Sequence, residues 1–194
     1  CRPPEGGGME VIMKKRIASL LLITFSALLL AACGSSGSIV LPKEGYAQGA
    51  AGDTMRTYFF DFTLNEAYTC SRYEGYIPTP GYDLLAAEVT VKNTFQEGIT
   101  MFDWDFVVLY ADNAGEEQIY DYPITSYEDL EIPEAAREAL LPSEYDLAKG
   151  ESRTGLLLFE VPAGDTEFTV SYIESFEDDT TGDTFSVDIA ATRR

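Results

Sequence analysis

The 194-residue chain contains no histidine. That absence removes the commonest general base, any Ser-His-Asp or Cys-His nucleophile system, and the commonest nitrogen ligand for zinc. Positive charge is scarce: 13 Lys and Arg stand against 33 Asp and Glu, a formal charge of −20. Such a surface repels phosphate backbones and anionic lipid headgroups, so no nucleic-acid partner is expected; its simplest role is to keep the protein dispersed in water. Cysteine is limited to three residues. Long apolar runs are limited to Ile17–Ala32, sixteen residues without a charge, short of the roughly 20 that a membrane-spanning helix needs. Carboxylate-only chemistry, such as glycoside hydrolysis, requires two acids facing each other about 5–10 Å apart. Separated strand segments show no such pair, and the expectation is a protein that is not an enzyme.

What is present argues for a folded, exported chain. Hydrophobic residues make up 45% and aromatics 12%, too rich for disorder. Lys14, Lys15 and Arg16 precede the apolar run, and small residues follow it, the order of a secretory signal peptide. The run closes on Leu30-Ala31-Ala32-Cys33, followed by Gly34, Ser35 and Ser36, which resembles the lipobox of bacterial lipoproteins. That resemblance implies cleavage between Ala32 and Cys33 and diacylglycerol on the Cys33 thiol, with the chain held at the extracytoplasmic face of the cell membrane. Each buried methylene contributes about 0.8 kcal/mol, so two or more acyl chains hold where one does not.

Residues 1–12 have no place in this scheme, and Met13 gives a compact basic start, with Met9 the alternative. Residues 13–32 are then the signal peptide, and from Cys33 onward 9 basic and 31 acidic residues remain, a formal charge of −22. With Cys1 upstream and Cys33 lipidated, Cys70 has no disulfide partner and is expected to be a small core residue.

Residues 33–52, rich in Gly, Ser and Ala, read as a flexible linker of about 25 Å reach. Residues 53–192 change to short alternating runs. Tyr58, Phe60, Phe62 and Leu64 share one face; so do Leu85, Ala87, Val89 and Val91, against Ala86, Glu88, Thr90 and Lys92. Trp104, Phe106, Val108 and Tyr110 repeat the pattern, as do Leu157, Phe159 and Val161, then Phe168, Val170 and Tyr172, then Phe185, Val187 and Ile189. Turn-forming stretches separate them, and one short helix is predicted in a loop over Pro133–Leu140. The fold class is all-β: a two-sheet antiparallel sandwich of immunoglobulin type.

The segments "LLAAEVTVKNTFQEGITMFDWDFVVLY" and "LAKGESRTGLLLFEVPAG" resemble the immunoglobulin-like domain of unknown function found in Gram-positive bacterial lipoproteins, similar in fold to a secreted immunoprotective antigen of mycobacteria. The resemblance implies a fold and no catalytic residues.

Two acidic groupings are candidate hard-cation sites: Asp178, Asp179 and Asp183 in a loop, and Asp103 with Asp105, two apart and so expected on one strand face. Calcium takes six to eight oxygen ligands, and neither stretch has the twelve-residue calcium-loop spacing. Solvated turns are the alternative. Tyr73, Tyr76 and Tyr82 form a tyrosine-rich stretch, read either as rigid contact area for a protein or envelope partner or as a hairpin packed on itself. Two roles follow: a non-catalytic binding or structural module, or a domain that takes up calcium or another small ligand.

Overall fold

The computed structural model describes residues 37–111, 118–176, 178 and 180–194. The first sheet contains β1 (Ile39–Val40), β3 (Thr54–Arg56), β4 (Phe60–Cys70), β5 (Tyr82–Asn93) and β10 (Ser152–Pro162) in that order, with β13 (Thr192–Arg193) on the second half of β4. The second runs β2 (Tyr46–Ala50), β12 (Thr181–Ala190), β11 (Glu167–Ser175), β7 (Phe106–Ala111), β8 (Gln118–Asp121). A separate two-stranded antiparallel sheet, β6 (Ile99–Phe102) with β9 (Glu144–Leu147), adds Met101, Tyr145 and Leu147 to the main core.

The expected faces build the core. Phe60 and Phe62 of β4, Phe106 of β7 and Tyr172 of β11 meet between the sheets, with Phe60 4.8 Å from Tyr172 and Phe62 5.3 Å from Phe106, both edge-on. Edge-on contacts of this kind add about 0.5–1.5 kcal/mol to the burial itself. Cys70 is buried, as expected.

A second, smaller core forms on the outside of the first sheet. Leu84 and Ala86 of β5 and Leu158 of β10 point away from the sandwich interior and are covered by Ile124, Ile132, Ala136 and Leu140 of the crossover between β8 and β9. Double coverage explains why Leu84–Ala87 is a continuous apolar run, and it corrects the placement of Ala86 on a polar face, since all four residues have no exposure. The crossover needs close access to β10, which Gly155 gives: a Cβ there would sit 3.0 Å from the Leu141 side chain and 3.1 Å from its backbone nitrogen. Leu141 N–H and Leu156 N–H bond across this approach at 2.9 Å each.

Three further expectations are corrected. The sheets are mixed, because β1–β3, β2–β12 and β4–β13 pair in parallel. The stretch 33–52 is not all linker: Ile39–Val40 and Tyr46–Ala50 are strands joined through a tight turn at Glu44-Gly45, where both residues take positive φ (57° and 89°). Glu74-Gly75 repeats that turn between Tyr73 and Tyr76 (43° and 89°), a geometry glycine adopts at little cost. Third, Asp103–Asp105 form a 3₁₀ turn rather than strand, so Trp104 is 47% exposed, and Tyr58, ahead of β4, is 64% exposed. The helix is one turn, Glu134–Arg137.

Candidate functional site

The crossover leaves β8 as "DYPITSYEDL", Asp121–Leu130. Pro123 sets an extended entry, Ile124–Ser126 close a 3₁₀ turn, and buried Ile124 fixes the turn to the second core. The segment encloses a groove of about 440 Å³ against Thr79 and Glu160. Concavities of this size accept small ligands or side chains.

Four carboxylates line it: Asp121, Glu128, Asp129 and Glu160, with no Lys or Arg among the lining residues. Tyr122, Tyr127, Ile124 and Leu130 supply the apolar surface. Two of the acids are fixed in place. Glu160 accepts the Tyr76 hydroxyl at 2.8 Å and the Thr79 N–H at 3.2 Å. Asp121 accepts the Tyr127 hydroxyl and the Tyr122 N–H. Burial and this bond to Asp121 push the Tyr127 phenol up to about 12, so it remains a donor at neutral pH.

Behind the groove wall lies a buried polar cluster. Asp103 has no exposure; Oδ2 accepts the Thr125 hydroxyl, while Oδ1 has no partner. Ser126 Oγ and the Tyr145 hydroxyl are likewise buried and unpartnered. Burial raises the Asp103 carboxyl, against the lowering effect of the neighbouring Thr125 and Ser126 hydroxyls. Asp105 accepts the Phe102 N–H at 2.9 Å and is pushed up to about 6 by burial, with the Asp103 charge adding to it. Tyr145 and Tyr172 are raised above the phenol range, by burial first and Asp105 second.

Two other hollows lack convergent free groups. In one of about 730 Å³, Asp188 is engaged by Gln48 and Thr169; in one of about 470 Å³, Glu174 is engaged by the Tyr58 and Asp183 N–H groups.

The residues singled out from sequence fall elsewhere. Ala32, Cys33 and Asp179 lie outside the described residues. Asp178 is exposed, and its carboxylate accepts the Thr180 N–H and O–H, which lowers its pKa. Asp183 sits in β12, its backbone N–H donating to Glu174. Among the described residues, no three acids or cysteines come together as metal ligands. The tyrosines divide: Tyr76 is buried, Tyr73 half-buried on the second core, and Tyr82 is 40% exposed at the start of β5. Tyr73 and Tyr76 bridge each other across the tight turn, and Tyr76 serves the groove by holding Glu160. The groove's own residues were missed, although Tyr120, Asp121, Tyr122, Tyr127, Glu128 and Asp129 around Pro123 carry the same loop-tyrosine pattern.

The sequence matches no family model and no curated protein. Among solved structures, it is similar to a candidate lipoprotein of Bacillus subtilis (YcdA), with 19% identity and a TM-score of 0.51 over 71% of this chain and 38% of that one. The chain thus spans under two fifths of that protein. It is also similar to the YjhA protein of Bacillus subtilis (17%, TM-score 0.45, 72% and 97%) and to an uncharacterised β-sandwich protein of Clostridium difficile (12%, TM-score 0.42, 73% and 92%). The likeness to the mycobacterial antigen rests on the sequence segments alone. At 19% identity what is shared with the first of these is the fold alone.

Proposed function

We propose that this chain is a non-catalytic lipoprotein, held by acyl chains on Cys33 at the extracytoplasmic face of the cell membrane, that binds a partner or solute through the groove between Asp121–Leu130 and β10. The groove carries the reading. Among the described residues it is a place where fixed carboxylates, exposed tyrosines and apolar surface converge. Leu30–Cys33 supports the location, and the candidate lipoprotein from Bacillus subtilis lends the same support at the level of fold.

Two measurements test the two halves. In bacteria fed a labelled fatty acid, the full chain is expected to carry label and fractionate with membranes, and Cys33→Ala to carry none; an unlabelled parent chain overturns the anchor. A fragment set screened by chemical shift against the full chain in mild detergent is expected to perturb residues 121–130 and Thr79. Hits scattered elsewhere, or no hits, overturn the groove.

A further inference from the structure

The ligand class of the groove is open to argument from its lining, granted the reading of the groove as a binding site. Four carboxylates without a nearby cation exclude an anion. Behind the wall Asp103, wholly buried, accepts the Thr125 hydroxyl and keeps one oxygen unpartnered. The site therefore selects a cation.

The choice between a metal ion and an organic cation follows from the remaining surface. A hard metal ion needs six to eight oxygens around one point, and no such gathering of acids occurs among the described residues. Tyr122, Tyr127, Ile124 and Leu130 offer nothing to a bare ion but bury a carbon chain. A quaternary ammonium would depend on the faces of two tyrosines, whereas a primary ammonium donates three N–H bonds, each strengthened by a carboxylate acceptor. Asp121 and Glu160 are held in position by tyrosine hydroxyls before any ligand arrives, each through one carboxylate oxygen, which leaves Asp121 Oδ2 and Glu160 Oε2 with acceptor capacity. Pre-set acceptors bind without the entropic cost of ordering.

We propose that the groove binds a primary alkylammonium group of a few methylenes, its carbon chain against Tyr122, Tyr127 and Leu130 and its N–H groups on one or two at a time of the lining carboxylates Asp121, Glu128, Asp129 and Glu160. The group has two sources, a free aliphatic amine or a lysine side chain.

The test is a titration of the full chain in mild detergent, read by chemical shift and calorimetry. The probes are 1,5-diaminopentane, a capped lysine tripeptide, 1-pentanol, tetramethylammonium and calcium. Diaminopentane is expected to shift the amides of 121–130 and Thr79 with at least tenfold higher affinity than pentanol or tetramethylammonium. Tighter binding of the tripeptide than of the amine assigns the lysine source, and the reverse assigns the free amine. In Glu128→Gln/Asp129→Asn, two exposed positions with no structural hydrogen bond among those described, amine affinity is expected to fall three- to tenfold while the fold-sensitive shifts of β4 and β5 stay in place. Equal response to pentanol, preference for calcium, or an unchanged affinity in that variant overturns the ammonium assignment. Groove shifts from uncharged fragments alone would sink this ligand class and leave the groove as a binding site.

Discussion

Asp105 is a carboxylate that the fold holds at a loss. Burial, with the charge of Asp103 adding to it, moves it from 3.8 in an unfolded chain to about 6. Between those values the native state holds the proton that the unfolded state has released, so stability falls as pH rises from about 4 to 6 and levels off above. Asp103, raised by burial, acts with the same sign, while Tyr145 and Tyr172, which face Asp105, stay neutral throughout. The shift corresponds to roughly 3 kcal/mol at neutral pH. Asp105→Asn keeps an oxygen for the Phe102 N–H and removes the charge. It is expected to raise stability at pH 7 by about 1–3 kcal/mol and to flatten the pH 4–6 slope, as measured by urea denaturation at pH 4.5, 5.5 and 7. An unchanged slope would show that Asp105 titrates as an exposed acid. The sequence makes these two acids visible but misplaces them. Spacing by two puts side chains on one face only in a strand, and here the Asp105 carboxylate captures the Phe102 N–H and turns the chain instead.

At the scale of elements, β13 pairs in parallel with the second half of β4 and is tied to β5 by an ion pair. Arg193 reaches Asp83 with Nη1 on Oδ2 at 2.5 Å and Nη2 on Oδ1 at 3.0 Å; the Asp83 side chain is 6% exposed. Its neighbour Arg194 pairs with Glu66, where both partners are about half exposed. Only Asp83 of the first pair is buried, Arg193 being 57% exposed; removing the arginine leaves that buried carboxylate without its cation, whereas a pair exposed on both sides contributes little. Arg193→Ala is expected to cost about 3 kcal/mol and Arg194→Ala under 1, by the shift in thermal or urea midpoint; equal costs would mean that Asp83 is hydrated once β13 loosens. The long strands were legible because large apolar residues alternate in them: β4, β5, β10, β11 and β12 bury the faces expected. Parallel pairing was not legible, since it leaves no trace in the spacing of a single strand. Nor was the second core, in which Ala86, read as a polar-side position, lies with Leu84 and Leu158 beneath the crossover. The groove depends on that crossover, and for this reason its residues were present in the sequence without being assembled there.

For the molecule as a whole, the largest difference between sequence pattern and structure lies at residues 39–50. Small residues and glycine gave this stretch the composition of a tether, yet it contributes one strand to each sheet: Ile39 and Val40 pair with Thr54 and Met55, and Tyr46–Ala50 pair with Thr184–Asp188. The small side chains are what the position requires. Ala47 is buried in the main core, and a Cβ on Gly49 would come within 2.6 Å of the end of Met55. Asp53 fastens the two strands together, accepting from the Ser38 N–H and hydroxyl at 2.8 Å each and from the Ala50 N–H at 3.0 Å, which also lowers its pKa. A flexible tether and a pair of closing strands differ in one measurable respect. If Ile39–Ala50 were only a spacer, replacing it with an equal length of Gly and Ser would leave stability unchanged. As strands, the segment covers Met55 and the outer edge of β12, so the replacement unpairs both sheets on one side and opens the core there to water. The expected result is a loss of at least about 3 kcal/mol in urea denaturation and faster amide exchange in β3 and β12, with β5 and β10 at the far side of the sheet less affected. An unchanged midpoint would return residues 39–50 to the role of a linker.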